Sequence, residues 1–489
     1  MKGHSGMLKL AFSVVMTLSL LASMTPSAHA AHAAPYEGYN YSFWGETVPS
    51  PVAYYPDRIV DGYSIGIDSF NQPRDLYISA DRHIYIADTG NNRIVVLNDR
   101  YEFVREIAEF RDGEVRGTFS APYGIFVTEA REKYIADMNN ARVVQLDADD
   151  QLVKIIDAPQ SEILVDKFVF RPAKVVVDKA ERVYVVSQGT FDGIMEFDAD
   201  GHFSGFVGAN KVRFNPIDYF WKIAATQEQR NRMKLFVPTE YTSADIDERG
   251  FIYTTNSDAN SQTPIRRLNP TGIDVLRRQG YWIPMGDIAY ANIGEVRGPS
   301  LFADIAVTDS GMYSALDGKR GKIFTYDWDG NLLYVFGKMG DQAGTFSLPT
   351  AIDHLGDHLV VLDRGTNRLT AFKTTPIGAL INEAVRLHFQ GNDVESAERW
   401  RKVIDYDANY DIAYIGISKA LLRQGLNKEA ASYAKLGKDR AYYSKAFQRY
   451  RKDVLRDQLG NLLTMGIMLV AGFVVFQAVR KRRGKAQHV

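Results

Sequence analysis

A pattern of three short apolar strands recurs along this chain and constrains the fold more than any other feature. The clearest copy spans residues 70–97, where strands are expected at 76–78, 83–87 and 93–97 with turn-forming residues between them. The same order of residues returns from Phe119 onward. Such a recurrence indicates a fold built from repeated units rather than from one irregular core.

Six units can be aligned on the residue that precedes the apolar triplet of the first strand. In three units the second strand ends in an aspartate that is followed five residues later by an arginine; units three, four and five lose this pair. Such an aspartate can accept hydrogen bonds from turn N–H groups and pair with the arginine, so we interpret the pair as structural. The aligned residues are Asp75, Gly124, Lys174, Asp245, Asp304 and Ala351, and the pairs are Asp88 with Arg93, Asp137 with Arg142 and Asp363 with Arg368.

Four-stranded units of this length, arranged radially, make a β-propeller. The residues Pro-x-Gly-Ile-x-Val, Tyr-Ile-Ala-Asp and Asn-x-Arg-Val-Val-x-Leu-Asp resemble the NHL repeat, most closely in units one, two and six. The resemblance implies a mainly β fold with a six-bladed β-propeller over residues 58–374. Unit six supplies only three strands, so we expect residues 59–67 to add the outer strand of the last blade and close the ring.

Charge balance and the lack of cysteine exclude several classes of function. The chain has 489 residues with 58 basic and 59 acidic side chains, and a net charge of −1 argues against a nucleic-acid-binding protein. Without cysteine the chain has no disulfide, no catalytic thiolate, no cysteine-bound zinc and no lipoprotein anchor. The sequence also lacks His-Glu-x-x-His and Gly-x-Ser-x-Gly motifs.

Both ends of the chain carry apolar segments. Residues 1–30 combine early lysines, an apolar run and small residues before a cleavage point, which is typical of a secretory signal peptide; an uncleaved anchor is the alternative. Residues 459–479 are long and apolar enough for one transmembrane helix, and the basic tail 480–489 follows directly. The positive-inside rule then predicts a single-pass cell-membrane protein, extracytoplasmic except for its short C-terminal tail.

Two further segments flank the propeller. Residues 31–57 are rich in aromatic side chains and are expected to pack along the edge of the disc. Residues 375–458 change to helical periodicity, and Gly391 and Gly425 are separated by the period of a tetratricopeptide repeat, which this segment resembles. A plain helical stalk is the alternative.

Two insertions, at 210–237 and 272–301, connect an outer strand to the next inner strand. We therefore expect both to rise from the same face of the disc, where binding loops usually lie. Their aromatic residues, among them Trp221 and Trp282, could stack on sugar rings or could pack the insertions onto the disc.

The inner strands begin at that face, so Asp75, Asp245 and Asp304 are expected to ring one mouth of the central channel, with Lys174 among them. Six-bladed lactonases and related hydrolases hold calcium with carboxylates and asparagines at such positions. The similarity implies that these three aspartates could bind calcium, and no other cofactor is expected. The alternative is that each aspartate caps the turn of its own strand; the missing Glu or Asn in the other units favours this alternative.

These parts predict a membrane-anchored extracytoplasmic binding or scaffold protein without enzymatic activity. Its propeller and helical repeats would bind a membrane or envelope protein, or a cell-surface glycan, and no nucleic acid. A role as accessory to a transporter or envelope complex would suit this organisation. The alternative function is a calcium-dependent, lactonase-like or lyase-like sugar hydrolase that uses the mouth of the channel. The candidate ligand-binding residues are Asp75, Lys174, Asp245, Asp304, Trp221 and Trp282.

Overall fold

The computed structural model describes residues 34–112, 115–160, 168–209, 240–258, 261–290 and 296–486. The signal peptide predicted at 1–30 and the insertion predicted at 210–237, with Trp221, lie outside these residues.

Six antiparallel sheets confirm the six-bladed β-propeller. In each sheet consecutive strands follow the chain outward from the channel, and strands from the N-terminal part of the chain are added outside blades five and six. Their strands are rich in β-branched and aromatic residues and are almost entirely buried in the middle of each blade. A β8–β9 hairpin (Glu109–Asp112, Val115–Thr118) links the first two blades. Blade one contains β4 (Asp75–Ile78), β5 (Ile84–Asp88), β6 (Arg93–Leu97) and β7 (Phe103–Ile107); blade two β10 (Pro122–Val127), β11 (Lys133–Asp137), β12 (Arg142–Leu146) and β13 (Leu152–Asp157); blade three β14 (Pro172–Val177), β15 (Val183–Ser187), β16 (Ile194–Phe197) and β17 (Phe203–Val207); blade four β18 (Tyr241–Ile246), β19 (Ile252–Asn256) and β20 (Ile265–Leu268); blade five β21 (Phe302–Val307), β22 (Tyr313–Asp317), β23 (Lys322–Tyr326) and β24 (Leu332–Phe336); blade six β25 (Pro349–Leu355), β26 (His358–Asp363) and β27 (Arg368–Thr374).

The N-terminal part of the chain closes the ring, as predicted. Strand β3 (Tyr54–Val60) pairs with β27 and becomes the outer strand of blade six. The predicted bounds, 59–67, are wrong because the chain turns directly after Val60. Asp61 and Ser64 exchange side-chain hydrogen bonds with each other's backbone N–H groups at 2.9 and 3.0 Å, which ends the strand.

The aromatic arm packs along the edge of the disc, as predicted. Strands β1 (Gly38–Tyr41) and β2 (Thr47–Ser50) extend blade five to six strands, and Tyr39 of β1 lies opposite Val335 of β24. The arm therefore covers a sheet edge that would otherwise expose free backbone groups.

The alignment of unit four needs a correction. Ser243 lies opposite Thr255, as Asp304 lies opposite Leu316 one blade later, so Ser243 rather than Asp245 occupies the aligned position. The triplet that follows Ser243 is Ala244-Asp245-Ile246, and its polar middle residue hid the apolar pattern and shifted the sequence alignment by two residues.

Five helices follow the propeller: α1 (Pro376–Gln390), α2 (Asp393–Tyr406), α3 (Asp411–Arg423), α4 (Asn427–Leu436) and α5 (Arg440–Ala486). Thr375 caps α1 by accepting a hydrogen bond from the Gly378 N–H at 3.2 Å, and Pro376 occupies the first helical position. The 440–480 part of α5 is long and apolar enough to cross a membrane, judged by length and composition.

The helices pack onto the face of the disc where the inner strands end. Phe389 of α1 contacts Trp328, with ring centroids 5.9 Å apart, and the Arg249 guanidinium lies 4.9 Å from the Phe389 ring centroid. Arg249 and Trp328 both belong to turns at this face. One hydrophobic cluster runs from Phe336 of the propeller to Trp400 of α2, so the propeller and the helices share a core.

The residues of the insertion at 272–301 that the structure describes do not rise from a face of the disc. Its described part follows the outer edge of blade four, where the Val275 N–H donates to the Arg267 carbonyl at 2.7 Å. Farther along, the Tyr281 hydroxyl donates to the Gly437 carbonyl of the helical segment. The expectation that this insertion rises from the face where the inner strands begin is wrong for its described residues, because they take the place of a fourth strand in a blade with three described strands.

Candidate functional site

The central channel has two mouths, which we call upper, where the inner strands begin, and lower, where they end. The upper mouth opens into a cavity of about 670 Å³. The lower mouth opens into one of about 700 Å³. Since the helices pack on the lower face, the upper mouth lies on the side of the disc that they leave open.

Three of the predicted site residues meet at the floor of the upper mouth. The Lys174 ammonium lies 2.6 Å from Asp75 Oδ1 and 3.5 Å from Asp304 Oδ1. The Ser243 hydroxyl donates to Asp304. Asp245 lies two residues farther along its strand and lines the lower cavity instead. Trp282 is remote from both mouths and donates its indole N–H to the Ser42 carbonyl of the arm at 3.2 Å.

Four channel aspartates connect neighbouring blades. Each aspartate accepts a hydrogen bond from the backbone N–H of the next blade's inner strand, whose edge has no further strand to pair with. The repeat pattern led us to expect such caps within each aspartate's own strand. Asp245 and Asp353 do accept the N–H of the next residue in their own strand, at 2.8 and 2.7 Å, and all four aspartates also accept an N–H from one blade onward. The bonds are Asp75 with Ile125 N at 3.0 Å, Asp304 with Ile352 N at 2.8 Å, Asp245 with Val307 N at 2.7 Å and Asp353 with Ile78 N at 2.6 Å.

Burial governs the protonation of this cluster. Burial raises the pKa of Asp75 to about 6, against the opposing effect of Lys174. Burial likewise raises the pKa of Asp245 to about 7. Burial alone would lower the pKa of Lys174, but the charges of Asp304 and Asp75 outweigh it and raise that pKa. The channel thus holds one ammonium among carboxylates that are costly to ionise.

The carboxylates predicted for calcium do not converge on a common point. Among the described residues, the group of three whose metal-binding atoms lie within 4.8 Å of one another is Asp198, Asp200 and His202. That group sits in an exposed turn, where Asp198 Oδ1 accepts the N–H groups of Asp200 and His202 at 3.0 and 2.8 Å. In the channel, the Lys174 ammonium, rather than a metal ion, supplies the positive charge beside the carboxylates of Asp75 and Asp304.

Three arginines that sequence reasoning missed surround the upper mouth: Arg74, Arg171 and Arg364. The Arg74 guanidinium lies 4.9 Å from the Tyr123 ring centroid. Burial lowers the pKa of Arg74 and the charge of Arg364 lowers it further. The buried Nε of Arg364 has no hydrogen-bond partner within the described chain. Guanidinium groups in this arrangement suit carboxylate or phosphate groups of a ligand.

The repeat pattern could have identified part of this rim from the sequence. Arg74 and Tyr123 directly precede the aligned residues Asp75 and Gly124, so both stand at the beginning of an inner strand, one residue before the aligned position. Arg171 and Arg364 belong to connecting turns, whose path the repeat pattern does not specify.

The lower mouth has the opposite charge. Asp245 and Asp353 lie at its floor, and Glu129 and Asp247 are among the further carboxylates in its wall. Burial raises the pKa of Asp353 well above its usual value, and the charge of Asp245 adds to this effect. Burial also lowers the pKa of the neighbouring His354 to about 4, so the histidine brings no positive charge at neutral pH.

The aspartates that end the second strands bind turn N–H groups, as predicted, and Asp88 and Asp137 pair with their arginines. The predicted pair of unit six is wrong: Asp363 accepts backbone N–H groups, and Arg368 lies 3.8 Å from Asp61 of the closing segment instead.

Asp137 is fully buried and accepts hydrogen bonds from the Ser120 N–H at 2.7 Å, Asn140 Nδ2 at 2.8 Å and Arg142 Nε at 2.9 Å. Unit five keeps this carboxylate as Asp317, which the repeat pattern did not reveal because its arginine follows after three residues instead of five.

The radial blades and the repeated aspartate turns define a six-bladed β-propeller. The family model for the NHL repeat matches residues 70–97. A search of curated proteins gives no match.

Several solved structures resemble the chain at low identity. Virginiamycin B lyase from Staphylococcus aureus is 12% identical, with 62% of this chain and 80% of that chain covered and a TM-score of 0.40. A streptogramin B lyase is 13% identical, with 71% and 95% covered and a TM-score of 0.38. A Bacteroides thetaiotaomicron protein of unknown function is 12% identical, with 68% and 80% covered and a TM-score of 0.43.

Proposed function

We propose that this protein is a membrane-tethered binding protein whose upper mouth engages anionic groups of an extracytoplasmic protein or glycan. The observation that carries the proposal is the rim of Arg74, Arg171 and Arg364 around an open cavity of about 670 Å³. In the described part of that rim, Glu240 is the outer carboxylate, and it already accepts the Gly189 N–H at 2.8 Å. The rim therefore presents more positive than negative charge to a partner.

Helix α5 is the part of the chain that would tether the protein to the membrane. This helix begins against the folded helical segment, where Ala446 is buried, and continues without interruption through the apolar stretch. Such a helix would hold the disc at a fixed height above a membrane, with its tail on the cytoplasmic side. A position of this kind suits an accessory subunit of a transporter or envelope complex, with the helical segment as a tetratricopeptide-like second surface.

The hydrolase alternative has less support. A calcium-dependent hydrolase needs carboxylates free to coordinate the ion. Asp75 and Asp304 instead bind Lys174 and the backbone of the next blade.

Crosslinking in cells tests the proposal. Wild-type protein and the variant Arg171→Glu would be crosslinked mildly, solubilised and analysed for attached protein or glycan. Lys179→Glu is the matched control, because Lys179 is equally exposed but lines the lower mouth. We expect the same attached species with wild type and control, and at least a fivefold loss with Arg171→Glu. Equal recovery from both variants, or recovery of the wild-type protein alone, would overturn the proposal.

A further inference from the structure

A second cleft lies where the helices meet blade five, on the opposite face of the disc from the upper mouth. It has a volume of about 240 Å³ and is lined by Arg277, Lys419, Arg423, Lys445 and Arg449 around one carboxylate, Asp329. Three separate parts of the chain contribute these cations: the insertion along blade four, helix α3 and helix α5. No sequence pattern indicated this convergence.

The cations outnumber the carboxylates that reach them. Asp329 accepts hydrogen bonds from Lys419 Nζ at 2.8 Å and Arg277 Nη1 at 2.9 Å. Asp327 lies 3.9 Å behind Lys419. Arg423 approaches Asp393 at 3.4 Å, and that aspartate also contacts His388. Five cations thus face three carboxylates, and burial keeps His388 neutral by lowering its pKa.

Lys445 and Arg449 carry most of the uncompensated charge. Lys445 Nζ lies 5.7 Å from the Tyr442 ring centroid, and Arg449 Nη1 donates to the Leu422 carbonyl at 3.1 Å. Across the described residues, neither side chain has a carboxylate within ion-pair distance. Both are exposed, so an anion can reach them from solvent.

The other cations are held in place before any ligand arrives. The Arg277 guanidinium stacks on Trp328 at 4.0 Å from the ring centroid, and Lys419 Nζ lies 5.1 Å from the Tyr442 ring centroid. Arg423 Nη1 donates to the His388 carbonyl at 3.1 Å. Pre-positioned guanidinium and ammonium groups on several sides are the arrangement that binds the oxygens of a phosphate group.

The size of the cleft limits the ligand. A volume of about 240 Å³ corresponds to roughly eight water molecules at about 30 Å³ each. This accommodates a diphosphate, or a single phosphorylated unit of a larger molecule, but is smaller than the usual site for a drug-sized ligand.

The position of the cleft on α5 decides between two sources of phosphate. Ten residues separate Arg449 from Leu459, where the apolar stretch begins, and this is about 15 Å of helix. The headgroup layer of a bilayer is only about 5–8 Å thick on each side. Phosphates of bilayer lipids therefore stay below the cleft at the usual helix tilt.

From this geometry we infer that the cleft between blade five and the helices binds a phosphate-bearing anion from the aqueous phase. The bound anion would contact the insertion, α3 and α5 together, and would thereby stiffen the connection between the propeller and its tether. The site is independent of the partner proposed for the upper mouth.

Calorimetric titration of the purified full chain in detergent with pyrophosphate and with inorganic phosphate, at fixed ionic strength, tests the inference. The cleft variant carries Lys445→Gln and Arg449→Gln. The matched control carries Arg451→Gln and Lys452→Gln, which remove the same charge from exposed positions of the same helix. We expect pyrophosphate affinity to fall at least tenfold in the cleft variant and less than twofold in the control, with unchanged melting temperatures.

Equal losses of pyrophosphate affinity in both variants would mean unspecific attraction to a basic helix and would contradict the inference. Absence of pyrophosphate binding by the wild type would also overturn it.

A third experiment distinguishes the two sources of phosphate. The full chain would be placed in phosphatidylcholine nanodiscs with and without phosphatidylglycerol. Pyrophosphate binding that survives phosphatidylglycerol supports the aqueous source, whereas its loss would assign the cleft to lipid headgroups and overturn the inference as stated.

Discussion

At the scale of single residues, buried aspartates satisfy backbone N–H groups that the blades leave unpaired. Asp137 does this at the end of a second strand, and Asp75 does it across two blades in the channel. A buried N–H without a partner costs about 1–3 kcal/mol, so each of these carboxylates stabilises the ring locally. The same carboxylates are therefore poorly suited to leave their partners for a ligand.

Replacing Asp137 by alanine should strongly destabilise the propeller. The change leaves the Ser120 N–H and the Arg142 guanidinium without their buried acceptor, and we expect a loss of about 3–5 kcal/mol in the free energy of unfolding. Chemical denaturation followed by circular dichroism measures this loss. Asp149→Ala, at an exposed position in the next turn of the same blade, should change stability by less than about 0.5 kcal/mol. Comparable losses in the two variants would contradict the structural role of Asp137.

Replacing Lys174 by methionine should make stability depend more steeply on pH. The pKa of Asp75 is about 6 in the folded protein and 3.8 in its ordinary state, so the folded protein holds a proton that the unfolded chain releases. The free energy of unfolding therefore falls as the pH rises through this window, and it recovers on acidification. Without the ammonium, the pKa of Asp75 rises further and the penalty at neutral pH grows.

We expect Lys174→Met to lose about 1–3 kcal/mol more at pH 8 than at pH 5, measured by denaturation at both values. Adding Asp75→Asn to Lys174→Met should recover part of the stability lost at pH 8, because the second substitution removes the buried carboxylate charge. An equal loss of stability at pH 5 and pH 8 would contradict the role of Asp75.

At the scale of elements, the repeat pattern predicts what recurs and misses what occurs once. The blades, the ring closure by the N-terminal segment and the aspartate turns follow from spacing that repeats, although the closing strand was predicted at 59–67 and lies at 54–60. The edge path of the insertion at 272–301 depends on contacts with the arm and with Gly437, which no local pattern encodes.

The residues of the candidate site likewise fall into those that the repeat pattern predicts and those that it misses. Asp75, Lys174 and Asp304 share an aligned strand position, so spacing alone brought them together. Asp353 and Asp245 occupy the same position in their inner strands, two residues after the aligned one. Asp353 was missed because the sequence alignment of unit four was shifted by two residues. The cations of the second cleft come from distant elements, and only the folded chain brings them together.

A disulfide between β3 and β27 should test the closing register. Ile59 and Thr370 are directly opposed, and the chain has no other cysteine to interfere. The double variant Ile59→Cys, Thr370→Cys should crosslink on oxidation and raise the free energy of unfolding by about 2–4 kcal/mol, measured against the reduced form by calorimetry. Ile59→Cys alone is the control. Failure to crosslink would indicate a shifted register, since a slip by one residue turns the two side chains to opposite faces.

At the scale of the whole molecule, the propeller and the helices share one hydrophobic core. Tyr54 of the closing strand, Phe372 of blade six and Ile381 of α1 belong to the same hydrophobic cluster. Asn382 Nδ2 of α1 also donates to the Tyr54 hydroxyl at 3.1 Å, and the Tyr334 hydroxyl of blade five donates to Asn382 Oδ1 at 2.7 Å. The helices therefore contribute directly to the joint that closes the ring.

Scanning calorimetry of the full chain should consequently show the propeller and the helices unfolding in a single transition. Ile381→Ala removes buried methyl groups from the shared cluster and should cost about 2–5 kcal/mol while lowering that one transition as a whole. Val394→Ala, an exposed position on α2, is the matched control and should have little effect. Two well-separated transitions, or a shift confined to one of them, would show that the helices are an independent unit.

The pairing of β3 with β27 also determines when the ring can close during synthesis of the chain. The closing strand leaves the ribosome first and waits for a partner that lies roughly 300 residues behind, a delay of about 15–60 s at ordinary rates of synthesis. During this interval the last blade does not exist and the strand Tyr54–Val60 stays unpaired. The ring is thus completed only after translation has passed the propeller, and until then the unpaired edges of this strand can pair with strands of other chains.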